Sequence, residues 1–532
     1  MSRAASRTTG RVARPAARTA PLPAAVLALA LALGGCAAAK QQTTLEAPPP
    51  SPSPSPTQEV PDTAAEEALA QFHAQQLAWE ECGRYQCARL SAPLDWDVPQ
   101  DGAIEIAVMR APATGSAEQR IGSLLTNPGG PGRSGLERLD WLVDRVIGAE
   151  VRAAYDVVAF DPRGVGQSSA VVCPDPALTD AYYTSDPPIR SQAELDAARE
   201  QVRLFGESCL AGTGPLLGEV DTVSSARDLD LLRAVLGDAK LHFLGFSYGT
   251  FLGATYADLY PRSVARMVLD GALDPSRSFD DLIIGQAIGF EEALRAYVTD
   301  CQAGGACPLT GGVDAGMAQV AEVLDRIDVA PIPAGGGREL NGTLAFYGVV
   351  VNLYSHRSWP NLTAALDEVL RSGTGSLLLE HGNRYLDRTS DGRYTKNANV
   401  ARTAINCLDY PTFVRDYDEM VDFAERLARV APTFGADFGM GAGCEAWPFP
   451  ATGVRHRISA EGAPPILVVG TTGDPATPYE WSVALADQLA SGVLLTWAGE
   501  GHTAYGRGGA CVSAAVEGYL LTGAPPADGT SC

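Results

Sequence analysis

The sequence predicts an α/β fold: a mostly parallel central sheet flanked by helices, with a largely helical cap inserted between the sixth and seventh core strands. Three observations point there. The apolar run 240–244 leads through Gly245-Phe246-Ser247-Tyr248-Gly249 straight into 250–257, a small-residue stretch that suits a helix. Two late β-branched runs, 465–470 and 492–497, each open into a polar loop. Roughly two hundred residues, several stretches of them with helical periodicity, separate Val264–Asp270 from the next strand, where one crossover helix would suffice.

In chain order, residues 1–35 read as a lipoprotein signal peptide. Arg3, Arg7, Arg11, Arg14 and Arg18 make a basic start, and the apolar run 24–33 is too short to span a bilayer comfortably. It ends in Leu33-Gly34-Gly35-Cys36, which resembles a bacterial lipobox, cut before Cys36 so that the thiol is acylated. Residues 36–62 are then lipid anchor and tether. Pro48-Pro49-Pro50-Ser51-Pro52-Ser53-Pro54-Ser55-Pro56 is semi-rigid and unable to pack a core. The expectation is an exported chain, held by that anchor alone on the outer face of the bacterial cell membrane or released to the medium. The plainer alternative is an ordinary signal peptide with a chance cysteine.

Residues 63–274 form the first part of the core. Residues 123–126 read as an early strand running into Asn127-Pro128-Gly129-Gly130-Pro131-Gly132. Such a loop leaves backbone N–H groups bare for a developing oxyanion: Gly130 or its neighbour Gly129, with the N–H of Tyr248 as second donor. An excursion over 171–220 follows the fourth strand. The elbow exposes Ser247 on a sharp turn that needs its flanking glycines, and a plain glycine-rich turn is the alternative. Residues 275–445 are the cap, with helical periodicity over 290–298, 344–353, 362–370 and 420–430. Residues 446–532 return to the core.

A serine nucleophile needs a base, and the base needs an orienting carboxylate. Six histidines allow elimination. His73 precedes the core, His242 sits in the strand before the elbow, His356 and His381 fall in the cap, and His456 lies ahead of a strand. His502 follows 492–497 in Gly499-Glu500-Gly501-His502-Thr503 and is the base candidate. Asp474, in the loop after 465–470, is the acid candidate, and Asp270 is its rival.

A formal net charge of −23 argues against a nucleic-acid partner and against electrostatic docking on anionic lipid. A monomer is expected. Of eleven cysteines, setting Cys36 aside leaves an even number, as disulfides in an exported chain require. Sequential pairing gives Cys82–Cys87, Cys173–Cys209, Cys301–Cys307, Cys407–Cys444 and Cys511–Cys532, although sequence leaves the connectivity open. No Cys-x-x-Cys pair or histidine cluster supports a metal, and no cofactor is expected.

Three stretches carry a specific resemblance: Asn127 to Gly132, Asp161-Pro162-Arg163-Gly164-Val165-Gly166-Gln167-Ser168, and Gly245 to Thr250. Together they resemble the proline iminopeptidase-like serine peptidases of the α/β-hydrolase fold. From about residue 80 onward the chain is similar to the actinobacterial tripeptidyl aminopeptidases and their carboxylesterase-named relatives. Asn127, where proline iminopeptidases have a histidine, fits that branch. The resemblance implies Ser247 as nucleophile, Asp474 as orienting acid and His502 as base. It also implies release of short peptides from free N-termini through an acyl-enzyme. A triad alone does not separate peptidases from esterases. A carboxylesterase acting on acyl esters and a non-catalytic lipid-anchored binding protein therefore stay open. A cap carboxylate placed to take a peptide's α-ammonium would favour the peptidase, and the candidates are Asp409, Glu291 and Glu292.

Overall fold

The computed structural model describes residues 63–185, 187–439 and 443–532. Cys36, the signal peptide and the proline-rich tether lie outside the described residues. Ten strands build the main sheet: β1 (Glu80–Cys82), β2 (Tyr85–Pro93), β3 (Ala103–Ala111), β4 (Gly122–Asn127), β5 (Tyr155–Phe160), β6 (Leu241–Phe246), β7 (Val264–Asp270), β10 (Ile466–Gly473), β11 (Gly492–Glu500) and β12 (Thr530–Ser531). A separate hairpin pairs β8 (Ile332–Pro333) with β9 (Glu339–Leu340). The main sheet runs β1-β2-β3-β5-β4-β6-β7-β10-β11-β12. It is antiparallel from β1 through β3 to β5, and parallel from β5 onward.

The central strands are apolar throughout because both faces are covered. Every residue of β4 and β5 is buried. Successive side chains point to opposite faces, so Leu125, Val158, Phe243 and Met267 join one apolar layer. Their neighbours Leu124, Val157, Leu244 and Val268 join the other.

The chain between β7 and β10 is largely helical: Phe279–Ala303, Val313–Val329, Gly342–Leu353, Trp359–Ser372, Ser376–Tyr385, Ala398–Asp409 and Tyr417–Val430. Ser278, Asn341 and Asp416 cap three of these helices, Asp416 within a full capping box closed by Glu419. The insert follows the seventh strand of the main sheet, not the sixth as the sequence reading had it. The short, charged Glu80–Cys82 gives no apolar signal of its own and escapes such a count. The excursion of 171–220 likewise follows the fifth strand, as helices Pro176–Thr184 and Gln192–Thr213.

All five sequential disulfides are present, Cys82–Cys87, Cys173–Cys209, Cys301–Cys307, Cys407–Cys444 and Cys511–Cys532. The motif residue Arg163 is fully buried. Its guanidinium holds Asp228 in a two-pronged ion pair at 2.7 Å and donates to the carbonyls of Pro93, Leu94 and Glu219. A buried charge is tolerable when satisfied this completely, and the cluster pins β2 to the helix Thr222–Val235.

Candidate active site

β6 ends at Phe246 and the helix Tyr248–Leu259 begins two residues later, so Ser247 alone makes the turn. It does so at φ 55° and ψ −124°, a conformation that costs a non-glycine residue energy. The surroundings hold it there. Its N–H donates to the Asp270 carbonyl at 2.9 Å, and its own carbonyl accepts from Thr250 Oγ1 at 2.6 Å. The flanking glycines are sterically required: a Cβ on Gly245 would come 2.4 Å from the Gly249 carbonyl oxygen, and one on Gly249 would come 2.7 Å from that of Asn127.

The glycine loop after β4 packs on this elbow. A Cβ on Gly129 would lie 2.8 Å from Ser247 Cβ and 3.1 Å from the Tyr248 nitrogen. Tyr248 opens a helix, so its N–H has no partner within the helix. Gly129 is not a free donor, because its N–H is spent on Asn127 Oδ1 at 2.9 Å; of the two loop candidates, Gly130 remains. Asp161 ties the loop down by accepting from Ser134 Oγ at 2.7 Å and from the N–H groups of Leu136 and Gln167.

β10 and β11 lie on the far side of β7 from β6, so their C-terminal loops fall beside the elbow. His502 Nδ1 sits 2.8 and 2.9 Å from the two carboxylate oxygens of Asp474. Asp474 is buried and also receives the N–H groups of Ala476, Thr477 and Thr503 and the Thr477 hydroxyl. With Nδ1 facing a carboxylate, the neutral ring carries its proton there and leaves the Nε2 lone pair open. The main-chain N–H of His502 donates to the Tyr354 carbonyl at 2.9 Å, and the Tyr354 ring stands edge-on to the imidazole at 5.6 Å.

Asp270 has a different place. Its carboxylate accepts from the N–H groups of Ala504 at 2.9 Å and Tyr505 at 2.7 Å, clamping the loop just past His502. Burial pushes its carboxyl up to about 6. The other described histidines past the first helix are engaged elsewhere: His242 beside Tyr155, where burial pushes it down to about 4, His356 near Asp300, His381 against Asn352, and His456 on Asp258.

None of the three proposed ammonium-binding carboxylates lines either of the two adjoining cap cavities. Asp409 is buried, with one oxygen taking the Thr222 N–H at 2.8 Å and the other the Thr222 hydroxyl at 2.6 Å. The Tyr248 hydroxyl donates in turn to Thr222 Oγ1 at 2.6 Å. Asp409 thus backs the elbow from behind, and burial pushes it up to about 7. Glu291 is spent on the N–H and hydroxyl of Thr433. Glu292 is exposed on the same helix, raised by partial desolvation and by Glu480.

Two adjoining cavities, of about 420 and 520 Å³, do carry acids: Asp280 and Glu445 in the first, Asp437 in the second. Asp280 pairs with Arg415, and Glu445 with Arg199 at 3.0 Å. Sequence reading missed them because Asp280 looks like an ordinary first-turn helix acid and Glu445 a loop residue. Neither cavity is lined by Ser247, Asp474 or His502. A row of aromatics joins them to the site. Tyr347 lines both cavities and stacks on Tyr385 at 5.0 Å, Tyr385 lies 6.3 Å from Tyr354, and Tyr354 meets His502. Among the described residues no cluster of three or more His, Cys, Asp or Glu side chains is placed to hold a metal.

A family model described as TAP-like protein matches residues 431–532. The chain is 38% identical to serine protease Hip1 of Mycobacterium tuberculosis, over 84% of this chain and 87% of that protein. It is 35% identical to carboxylesterase B of Mycobacterium tuberculosis, over 86% of this chain and 90% of that one. It is 32% identical to the tripeptidyl aminopeptidase of Streptomyces lividans, over 86% of each. Matches of this extent, on a parallel sheet with a serine elbow, make the chain a member of the tripeptidyl aminopeptidase-like family of α/β-hydrolase serine hydrolases.

Proposed function

We propose that this chain is an exported aminopeptidase that releases short, tripeptide-sized pieces from free N-termini. The observation that carries the chemistry is the His502–Asp474 contact at 2.8 Å, at the strand ends that also bear the Ser247 elbow. In this reading His502 Nε2 takes the Ser247 hydroxyl proton as Oγ attacks the scissile carbonyl. The Tyr248 and Gly130 N–H groups receive the oxyanion. His502 then returns the proton to the departing amine, leaving an acyl-enzyme that water hydrolyses by the same route. Asp474 holds the imidazole tautomer throughout. Residues 275–445 act as a cap, and an acid lining its cavities, Asp280, Glu445 or Asp437, takes the substrate's α-ammonium.

A fluorophosphonate probe should label Ser247, and an unlabelled chain would point to the binding-protein alternative. A peptide anilide with a free amine should be cut about thirtyfold better than its N-acetylated twin, because acetylation removes the charge-assisted hydrogen bonds between the ammonium and that acid. The likeness to carboxylesterase B supports a second reading. Equal rates on both peptides with fast cleavage of short acyl esters would establish it in place of the first.

The localisation belongs to the same proposal: acylation of Cys36 holds the enzyme at the outer face of the membrane. Cys36→Ser should release active enzyme, and continued membrane retention would count against the anchor.

A further inference from the structure

The helix Ala398–Asp409 lies directly against the glycine loop. A Cβ on Gly132 would come 2.3 Å from the Ala398 carbonyl oxygen and 2.8 Å from the Arg402 nitrogen. Arg402 is therefore fixed beside the oxyanion loop, and its half-buried side chain lines the cavity of about 520 Å³. Its surroundings are unusual for a guanidinium. Its guanidinium has no ion pair among the described residues. Its one side-chain hydrogen bond runs from Nη1 to the Tyr385 hydroxyl at a long 3.5 Å, with the Tyr385 ring centroid 5.8 Å away. The arginines of the adjoining cavity, Arg199 and Arg415, each have a carboxylate partner. Arg133 on the glycine loop has one as well, Asp387 at 3.0 Å.

We infer that Arg402 is the receptor for a carboxylate of the substrate. A guanidinium offers five donors in a planar fork, and here the groups around it are tyrosines, Tyr385, Tyr347, Tyr183 and Tyr354. Partial burial without a counter-ion is costly, and an incoming carboxylate relieves that cost with paired, charge-assisted hydrogen bonds. The place suits a substrate group, because Tyr385 alone separates Arg402 from Tyr354, the residue packed on His502. A chain of formal net charge −23 repels anions at long range, so a preference for them must come from a local group of this kind. The carboxylate has two possible sources: an acidic side chain in the acyl part, or the α-carboxylate of a short leaving peptide. The inference rests on the peptidase reading only for the identity of the substrate.

The test is a ratio measured within each enzyme. Peptide anilides carrying Glu or Asp are compared with Gln or Asn twins at each acyl position, and free peptides with their C-terminal amides. In the wild type one pair should favour the acid by roughly tenfold or more in kcat/KM. That pair identifies the source. Arg402→Gln should bring the ratio to about one, and Arg402→Lys should keep part of it. Ratios near one throughout the wild type, or a preference that survives Arg402→Gln, would overturn the inference. A succinate monoester against its methylated twin makes the same comparison without an amide bond. A preference for that anion, lost in Arg402→Gln while no peptide is cut, would sink the peptidase reading and leave Arg402 in its role. Peptides cut without any acid preference would do the reverse.

Discussion

Ser247 holds a positive φ that glycine would adopt freely, and this gives the residue two separable properties. Removing the hydroxyl by Ser247→Ala should abolish turnover and keep the strain. Ser247→Gly should be equally inactive yet melt higher than the alanine variant, by about 1 kcal/mol. An alanine variant as stable as the glycine one would mean that the elbow stores no strain. The two carboxylates near His502 divide in the same manner. Asp474→Asn should cost roughly 10⁴-fold in kcat by presenting the wrong tautomer partner. Asp270→Asn should chiefly lower stability, because Ala504 and Tyr505 lose a charged acceptor. The opposite pattern would exchange their roles. Asp409 supplies a pH signature. It titrates at about 7 when folded, and in the ordinary carboxylate range near 4 when unfolded. The folded state therefore binds that proton more tightly, so stability falls as pH rises from about 4 to about 7 and levels off above. The facing groups Asp221 and Arg455 shift it in opposite directions. Melting of wild type and Asp409→Asn, compared at about pH 5 and about pH 8, should show a shallower slope in the variant; equal slopes would remove Asp409 as its source. At this scale sequence is informative where a role is local. Ser247, Asp474 and His502 each follow a readable strand. The true partners of Asp409 and Glu291, Thr222 and Thr433, lie 187 and 142 residues away and leave no local signal.

Among elements, the buried parallel strands were the most legible. The runs at 123–126, 240–244 and 465–470 fall on β4, β6 and β10 to within three residues at either end, and Val264–Asp270 coincides with β7. These strands are apolar along their whole length, so composition alone marks them. β1 and β12 were missed because they are two or three residues long and polar. Ala398–Asp409 was missed for another reason: its apolar residues keep helical spacing, but buried Asn399 and Asp409 among them lower its overall hydropathy. That helix carries Arg402 and Asp409 and is stapled by Cys407–Cys444 to the cavity wall at Glu445. The bridge closes a loop of separation 37, whereas Cys82–Cys87 closes one of 5. In the chain-entropy view its loss should cost about 2 kcal/mol more. Thermal melts of Cys407→Ser/Cys444→Ser and Cys82→Ser/Cys87→Ser would decide, and equal losses would point to strain or residual unfolded structure instead of loop entropy.

Across the whole molecule the insert is joined to the catalytic end of the sheet at several depths. Asp409 reaches the elbow through Thr222, and the Tyr354 carbonyl holds the His502 main chain. The apolar layer containing Phe243 and Met267 of the sheet continues without a break through Leu344, Val349 and Leu362 of the insert. Continuity of this kind has a calorimetric consequence. A chain of this length with a long insertion would ordinarily melt in steps, each part with its own midpoint. Because sheet and insert share this one layer, separating them would expose apolar surface on both, so the two should melt as one cooperative unit. A scan should give a single endotherm whose van't Hoff enthalpy approaches the calorimetric one, and catalytic activity should vanish at the same temperature as the helical signal. Two resolved peaks, or activity lost well below the main transition, would mean that the insert melts on its own.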